Sequence, residues 1–459
     1  MKKLIQLIII IFFHATYSFG QIPQKEEKFS RSEVNGDLEY LKHLIYDVHV
    51  NPNWEYTSEQ YKKLFKEIEL TLKDSITATD FLKIVKPVIA HLSDEHSQIY
   101  LNPSLLSPIL LQQPIYPPFS LEKKGDSYFI ADLLDDKSSL KKGDHIIQIN
   151  NVPVSNWIQL CSLDTIGFPE QRTAIALKRF GYLFPLATTV ESTSFQIRNG
   201  NGKLFTVPGT TLKVWQSYIM NHNDGRGSNC EERLSYTQYG NTGYINACWF
   251  DVKSKGKYSL DSLKCKIDVI FKQIHEEGIQ KLVIDVSQNG GGNSAVGEYL
   301  ISSFYDKPYK DYMMDYKKSE EYLKLYESWG FHDDVYSTMP NGEIIHYPSK
   351  MTKPEKVPYR FNGKVIVVMG KPTFSSAMTF VTLIKDNNIA PLIGQSSLNG
   401  HPTGLGEQFY TSLPHTKIFV RLSVKEFIRP AGKGTVNNLQ PDILLTDKQM
   451  NNIDDLLNF

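Results

Sequence analysis

The chain has 459 residues, of which 41% are hydrophobic and 22% charged, with 50 Lys plus Arg against 50 Asp plus Glu. At about 100–200 residues per domain this length calls for roughly two to four units, and the apolar share excludes a disordered chain. The even charge balance, with no run of five like charges, excludes the basic face of a nucleic-acid binder and a polybasic membrane tail.

In chain order, Lys2 and Lys3 precede an apolar run from Leu4 to Phe13, and Ser18-Phe19-Gly20 sets small residues ahead of Gln21. This is the layout of a secretory signal peptide over residues 1–20, and its apolar run is roughly half of what a spanning helix needs. The protein is therefore expected to be exported, periplasmic or secreted, with no stable membrane insertion. Its cysteines (Cys161, Cys230, Cys248 and Cys265) are free to pair in an oxidising compartment in three connectivities. Cys248, in an apolar stretch, reads as a buried small residue. Their spacing shows no CxxC, so no zinc site is expected, and no cofactor or metal is expected for this chain.

Residues 21–112 read as helical. Leu38, Leu41, Leu44 and Ile45 recur at helical spacing, as do Leu64, Ile68 and Leu72. Asp80 is the expected cap of a helix with Phe81, Ile84, Val85, Val88 and Ile89 on its apolar face, ending near Leu92. A proline-rich stretch from Leu105 to Pro118 reads as an extended linker. Residues 113–210 change to short strands, among them Tyr128 to Ala131 and Ile146 to Ile149. Leu140-Lys141-Lys142-Gly143-Asp144-His145, running on to Asn150-Asn151, resembles the Gly-Asp segment of PDZ domains, which take an extended peptide as an added strand. A long insertion containing Tyr and Phe follows Trp157.

From 235 to 448 strands and helices alternate. Gly243 to Phe250 reads as a strand, and Ser259 or Asp261 caps a helix that stops at Gly278. Lys281 to Val286 and Lys364 to Met369 are nearly continuous apolar runs, as buried parallel strands are. A helix from Ser375 to Lys385 and a strand from Ala390 to Gly394 complete a mainly parallel α/β unit.

Two strand-to-helix turns carry candidate chemistry. Ser287-Gln288-Asn289-Gly290-Gly291-Gly292-Asn293-Ser294 brings free-bending backbone N–H groups to a helix N-terminus, a setting for an anion or a developing oxyanion. It lacks the Gly-Lys-Ser/Thr of a phosphate-binding loop and the Gly spacing of a dinucleotide fingerprint. Gly370-Lys371-Pro372-Thr373-Phe374-Ser375-Ser376-Ala377 puts serines at the carboxyl end of a parallel strand, where α/β enzymes place reactive groups. Serine is also a favoured helix cap, so a merely structural role for Ser375 or Ser376 competes with a nucleophilic one.

Leu282 to Gly292 is similar to the segment "two aliphatics, Asp, Leu-Arg-x-Asn-Gly-Gly-Gly" of the S41 serine peptidases, the family of the C-terminal processing (tail-specific) and tricorn core peptidases. Thr373 to Ala377 resembles that family's nucleophile segment, Ile393-Gly394-Gln395 its next strand end, and Asn438 to Ile443 its closing motif. The resemblance implies an α/β fold: a ClpP/crotonase-like catalytic core over 235–448, a PDZ-like β domain over 113–210 and a helical N-terminal region over 21–112. It implies a serine endopeptidase acting on polypeptide substrates, unfolded or with exposed tails. Ser375 matches the nucleophile, and an oxyanion hole is implied from Ser376 and the bend Gly290, Gly291 and Gly292. The lysine base of the tail-specific branch is absent, since Gly400 stands at its spacing, and Met378 replaces a family glutamate. Ser93-Asp94-Glu95-His96-Ser97 resembles the upstream histidine segment of the tricorn-like branch, which makes His96 the expected base, ahead of His401 and His415. Glu407 is the expected third partner, with Gln440 as alternative, and Asp285 is expected to brace the Gly-rich turn. A catalytically silent relative that binds peptides or other ligands, and an esterase on the same constellation, are the competing functions.

Overall fold

Three helices open the chain in the computed structural model, which describes residues 27–101, 113–134, 139–188, 192–221, 230–330, 332–398, 400–432 and 438–459. The expected signal segment 1–20, and residues 105–112 of the expected linker, lie outside the described residues. Helices Arg31–His43 and Ser58–Thr71 begin in capping boxes at Ser30 and Thr57, with Glu33 and Gln60 reaching back. Helix Ala78–Ala90 is capped by Thr77, whose hydroxyl accepts the Asp80 N–H. Asp80, the expected cap, stands instead inside the first turn, where its charge suits the helix dipole.

These helices bury Leu38, Leu41, Phe65, Ile68, Phe81 and Val85 against Leu413, Val420, Leu422 and Val424 from the far end of the chain. The helical region thus shares one hydrophobic core with an antiparallel sheet. That sheet runs Ile344–Tyr347, Met313–Lys317, Phe419–Ile428, Gly404–Ser412. Strand Gln98–Tyr100 joins it, pairing Tyr100 with Phe419 and Gln98 with Arg421.

A second antiparallel sheet has the order Phe119–Lys124, Ser127–Leu133, His145–Ile149, Ser194–Asn199, Leu204–Pro208. The stretch after Pro153 is helical, as Val154–Ser162, Pro169–Lys178 and Phe180–Ala187. The start of the middle helix plugs into the helical region. Buried Arg172 reaches Glu55 Oε2 at 3.0 Å and the carbonyls of Ala90 and Gly167. Burial alone would push the Glu55 carboxyl up, but hydrogen bonds from His91, Arg172 and Ser93 outweigh it and hold it at about 2, against an ordinary 4.5. A depressed carboxyl contributes stability that is present above the unfolded value and lost as pH falls through the folded one. Resistance of the wild type to urea should therefore weaken as pH falls from 4.5 toward about 2, and the drop should be smaller in Glu55→Gln.

The third unit is a six-stranded sheet in the order Leu234–Tyr239, Thr242–Ala247, Lys281–Asp285, Lys364–Met369, Leu392–Gly394, Ile443–Leu444. Its first pair is antiparallel and every later pair is parallel. Helices Leu260–Glu276, Ser294–Ser302 and Ser376–Asp386 follow successive strands. Leu263, Ile267, Leu300 and Phe380 pack with Ile284 and Val367 in its core. Ser259 is the cap of the first of these helices. The strand expected to reach Phe250 ends at Ala247, and Phe250 instead bridges to Gly292. Cys248, just past the strand end, forms a disulfide with Cys230, while Cys161 and Cys265 are free. Disulfides persist in oxidising compartments. Among the described residues no helix is long and apolar enough to cross a membrane.

Candidate active site

The Gly-rich bend and the serine turn meet at the carboxyl edge of the parallel sheet. Asn289 organises the bend: its Nδ2 donates to the Ala247 carbonyl and its Oδ1 accepts the Gly291 N–H, at 2.7 and 2.8 Å. Its own carbonyl accepts the Phe374 N–H at 3.1 Å, tying bend to turn. Asp285 accepts the Ser287 N–H at 2.7 Å and the Tyr244 hydroxyl at 2.6 Å, so it braces the start of the bend. Its burial pushes the carboxyl up, against the hydrogen bonds from Tyr244 and Ser287.

Ser375 occupies the cap position of helix Ser376–Asp386 with φ 52° and ψ −128°, and its side chain makes no capping bond. The hydroxyl is therefore not used to hold the helix end, which separates Ser375 from an ordinary serine cap. A non-glycine residue held in so sparsely populated a backbone region costs on the order of 1–3 kcal/mol, so its surroundings must enforce it. They do so through buried Thr373, whose Oγ1 donates to the Val286 carbonyl at 3.0 Å and accepts the Gly370 N–H at 2.9 Å. Gly291, at φ 99°, lies so close that an added Cβ would stand 2.6 Å from Ser375 Cβ.

A cleft of about 320 Å³ opens over this point, lined among others by His96, Gly292, Ser375, Ser376, His401 and Glu407. Of the expected oxyanion donors, Gly291 has its N–H taken by Asn289, and Gly292 faces the cleft. No hydrogen bond among the described residues uses the N–H of Gly292 or Ser376, so these two are open to a substrate oxygen. Gly290, the remaining expected donor, is not among the residues lining the cleft.

His96 reaches the cleft because the strand after it is zipped to the distant sheet, and Arg421 Nε donates to the His96 carbonyl at 2.7 Å. Buried Asp94 accepts the His96 backbone N–H at 2.8 Å and bonds the Ser97 hydroxyl and His49 Nε2. Burial would raise the Asp94 carboxyl, but the His49 imidazole outweighs it and holds the group well below the usual carboxylate range. The His96 ring stacks on Phe374, centroids 5.3 Å apart, directly beside Ser375. Its Nδ1 is buried without a partner, and no hydrogen bond joins the ring to Ser375 among the described residues.

Glu407 is the expected third partner. It lines the cleft, but its two carboxylate oxygens are held at 3.1 Å each by the Tyr322 hydroxyl and Lys425 Nζ, and it bonds neither histidine. The cause is strand register: Gly406 pairs with Lys425, and Glu407, at φ 52°, drops out of the ladder toward that lysine. Gln440 accepts from Ser396 at 2.9 Å, and His415 stands beside Gly36. The carboxylate that does hold a cleft imidazole is Glu95, on His401. Glu95 sits inside the upstream motif, but nothing local in the sequence ties it to a residue beyond 400.

A serine in a sparsely populated backbone conformation thus stands at a helix head beside the Gly-rich bend, at the carboxyl edge of a parallel sheet. Residues 241–445 match the model of peptidase family S41. Among solved structures, mature CPAF is 16% identical with a TM-score of 0.58, over 90% of this chain and 93% of that one. Mature CPAF complexed with lactacystin is also 16% identical at 0.58, over 90% and 94%. At that identity the likeness shows the fold, a mixed α/β architecture with several sheets. No curated protein matches the sequence.

Proposed function

We propose that the protein is an exported serine-type endopeptidase with Ser375 as nucleophile and His96 as base. One observation carries this reading: the Ser375 hydroxyl, unspent at a strained helix head, shares a cleft with His96 and with the open N–H groups of Gly292 and Ser376. Ser375 Oγ attacks the peptide carbonyl as His96 takes its proton. The oxyanion is received by the Gly292 and Ser376 N–H groups, and a donor of this kind is typically worth ~2.7–4 kcal/mol of barrier. Asp94 and the stacked Phe374 hold the imidazole in place of a carboxylate on Nδ1. Glu407 shapes the cleft wall together with Tyr322 and Lys425.

The reading extends to the whole chain. The core sheet is proposed as ClpP/crotonase-like, and the sheet from Phe119 to Pro208 as a PDZ-like module that grips extended polypeptide. Export is supported by the leader and by the Cys230–Cys248 disulfide. The test is a fluorophosphonate probe followed by peptide mapping. Labelling of the purified mature chain at Ser375, falling by about 10²-fold or more in His96→Ala, is the expected result. A folded chain that takes no label and leaves unfolded casein intact would be a silent, peptide-binding relative.

A further inference from the structure

The proposed chemistry uses one imidazole, but the cleft contains two, and the second is the better anchored. His401 Nδ1 lies 2.6 Å from Glu95 Oε1, with side chains 7% and 9% exposed. A carboxylate buried to this degree is costly unless it is paired and hydrogen-bonded, and two distant segments converge to meet that need. Gln171 Nε2 donates to Glu95 Oε1 at 2.9 Å, while its Oε1 accepts the Phe168 N–H at 2.8 Å. The Phe168 ring packs on the His401 ring, centroids 4.0 Å apart. Gly400, next to His401, is pressed against the serine turn: a Cβ there would stand 2.8 Å from the Thr373 carbonyl oxygen and 3.0 Å from Met378 Cε. His401 Nε2 has no hydrogen bond among the described residues, and the residue lines the same cleft as Ser375.

We infer that His401, held by Glu95, is the general acid that protonates the leaving amine, so that Ser375 works between two imidazoles with divided tasks. The inference rests on the serine-peptidase reading above. The division follows from the surroundings of each ring. Glu95 stands on Nδ1 of His401, where it would offset a positive charge on a ring that donates a proton, whereas the buried Nδ1 of His96 has no such partner among the described residues, which suits the ring that accepts one. In acylation the Ser375 hydroxyl proton passes to His96, the Oγ–carbon bond forms, the carbon–nitrogen bond breaks, and the amine leaves with a proton from His401 Nε2. In deacylation water adds to the acyl carbon and gives its proton to His401, and Ser375 Oγ departs with the proton held by His96. Both rings end as they began, and no further reactant is needed.

The test compares leaving groups, because p-nitrophenolate departs without a proton and an amine does not. Wild type, Ser375→Ala, His401→Asn and Glu95→Gln would be assayed on a peptide amide and, by the pre-steady-state burst, on the p-nitrophenyl ester of the same acyl group. Melting temperatures would be recorded for each. In His401→Asn the loss on the amide should exceed the loss on the ester burst by about 10²-fold or more, and Glu95→Gln should show the same selectivity more weakly. If His401→Asn does not fold, Glu95→Gln carries the comparison. Equal losses on both substrates, or wild-type amide turnover, would overturn the role given to His401 while an inert Ser375→Ala upholds the serine reading. An active Ser375→Ala would overturn both.

Discussion

Ser375→Ala is expected to abolish peptide cleavage, with a fall in kcat of roughly 10⁴-fold or more, as loss of a serine nucleophile does elsewhere, and to leave the fold intact. The fold survives because the hydroxyl supports nothing: it makes no capping bond, and the turn is held by Thr373, Asn289 and the Ser397 hydroxyl on the Thr373 carbonyl. Ser375→Gly separates the two costs. Both variants lack the hydroxyl, but only alanine keeps a Cβ at φ 52°, so the glycine variant should be more stable than the alanine variant by on the order of 1 kcal/mol. Matched assays on unfolded casein and thermal melts decide the matter. Cleavage by Ser375→Ala at the wild-type rate would remove the nucleophile from the mechanism.

The other large effect is expected at Gly291. An alanine there would put its Cβ 2.6 Å from Ser375 Cβ, 2.8 Å from the Phe374 carbonyl oxygen and 3.1 Å from the Ser376 nitrogen, and would hold φ at 99°. Two of these neighbours are backbone atoms of the turn that Thr373 and Asn289 hold, so the bend itself must move. The variant should lose activity by about 10²–10³-fold, the scale of a lost oxyanion donor, because the N–H of neighbouring Gly292 is displaced. Stability should fall by about 1–3 kcal/mol for the strained backbone. Gly278→Ala is the control: its φ is 64°, nothing lies within 4 Å of an added Cβ, and it closes a helix far from the cleft. It should lower the melting temperature and spare kcat. Equal kinetic losses in the two variants would detach the bend from catalysis.

What could be read from the sequence is what is local in it. The apolar runs at Lys281–Asp285 and Lys364–Met369 are strands because a doubly covered parallel strand has no polar face to interrupt them. Ser375 and the Gly-rich bend were legible for a related reason, since a strand end, a turn and a helix start are all contained within a few residues. Contacts set by long-range pairing were hidden. The imidazole of His96 is delivered by a three-residue strand, Gln98–Tyr100, anchored by Arg421 at a separation of 325 residues, and no periodicity announces such a strand. The contacts of Glu407 were hidden too, because they are chosen by register with Phe419–Ile428. The Glu95–His401 pair is 306 residues apart and is completed by a third segment. The cysteine pairing was likewise one of three until the fold brought Cys230 to Cys248.

The zipper between Gln98–Tyr100 and Phe419–Ile428 also bears on when this chain could do harm. With the proposed base supplied early in synthesis and its seat supplied late, a growing chain holds both only once Phe419–Ile428 has been made. Under the proposed reading, competence for hydrolysis waits on that late pairing, and a nascent chain that stops short of it carries the serine without its base.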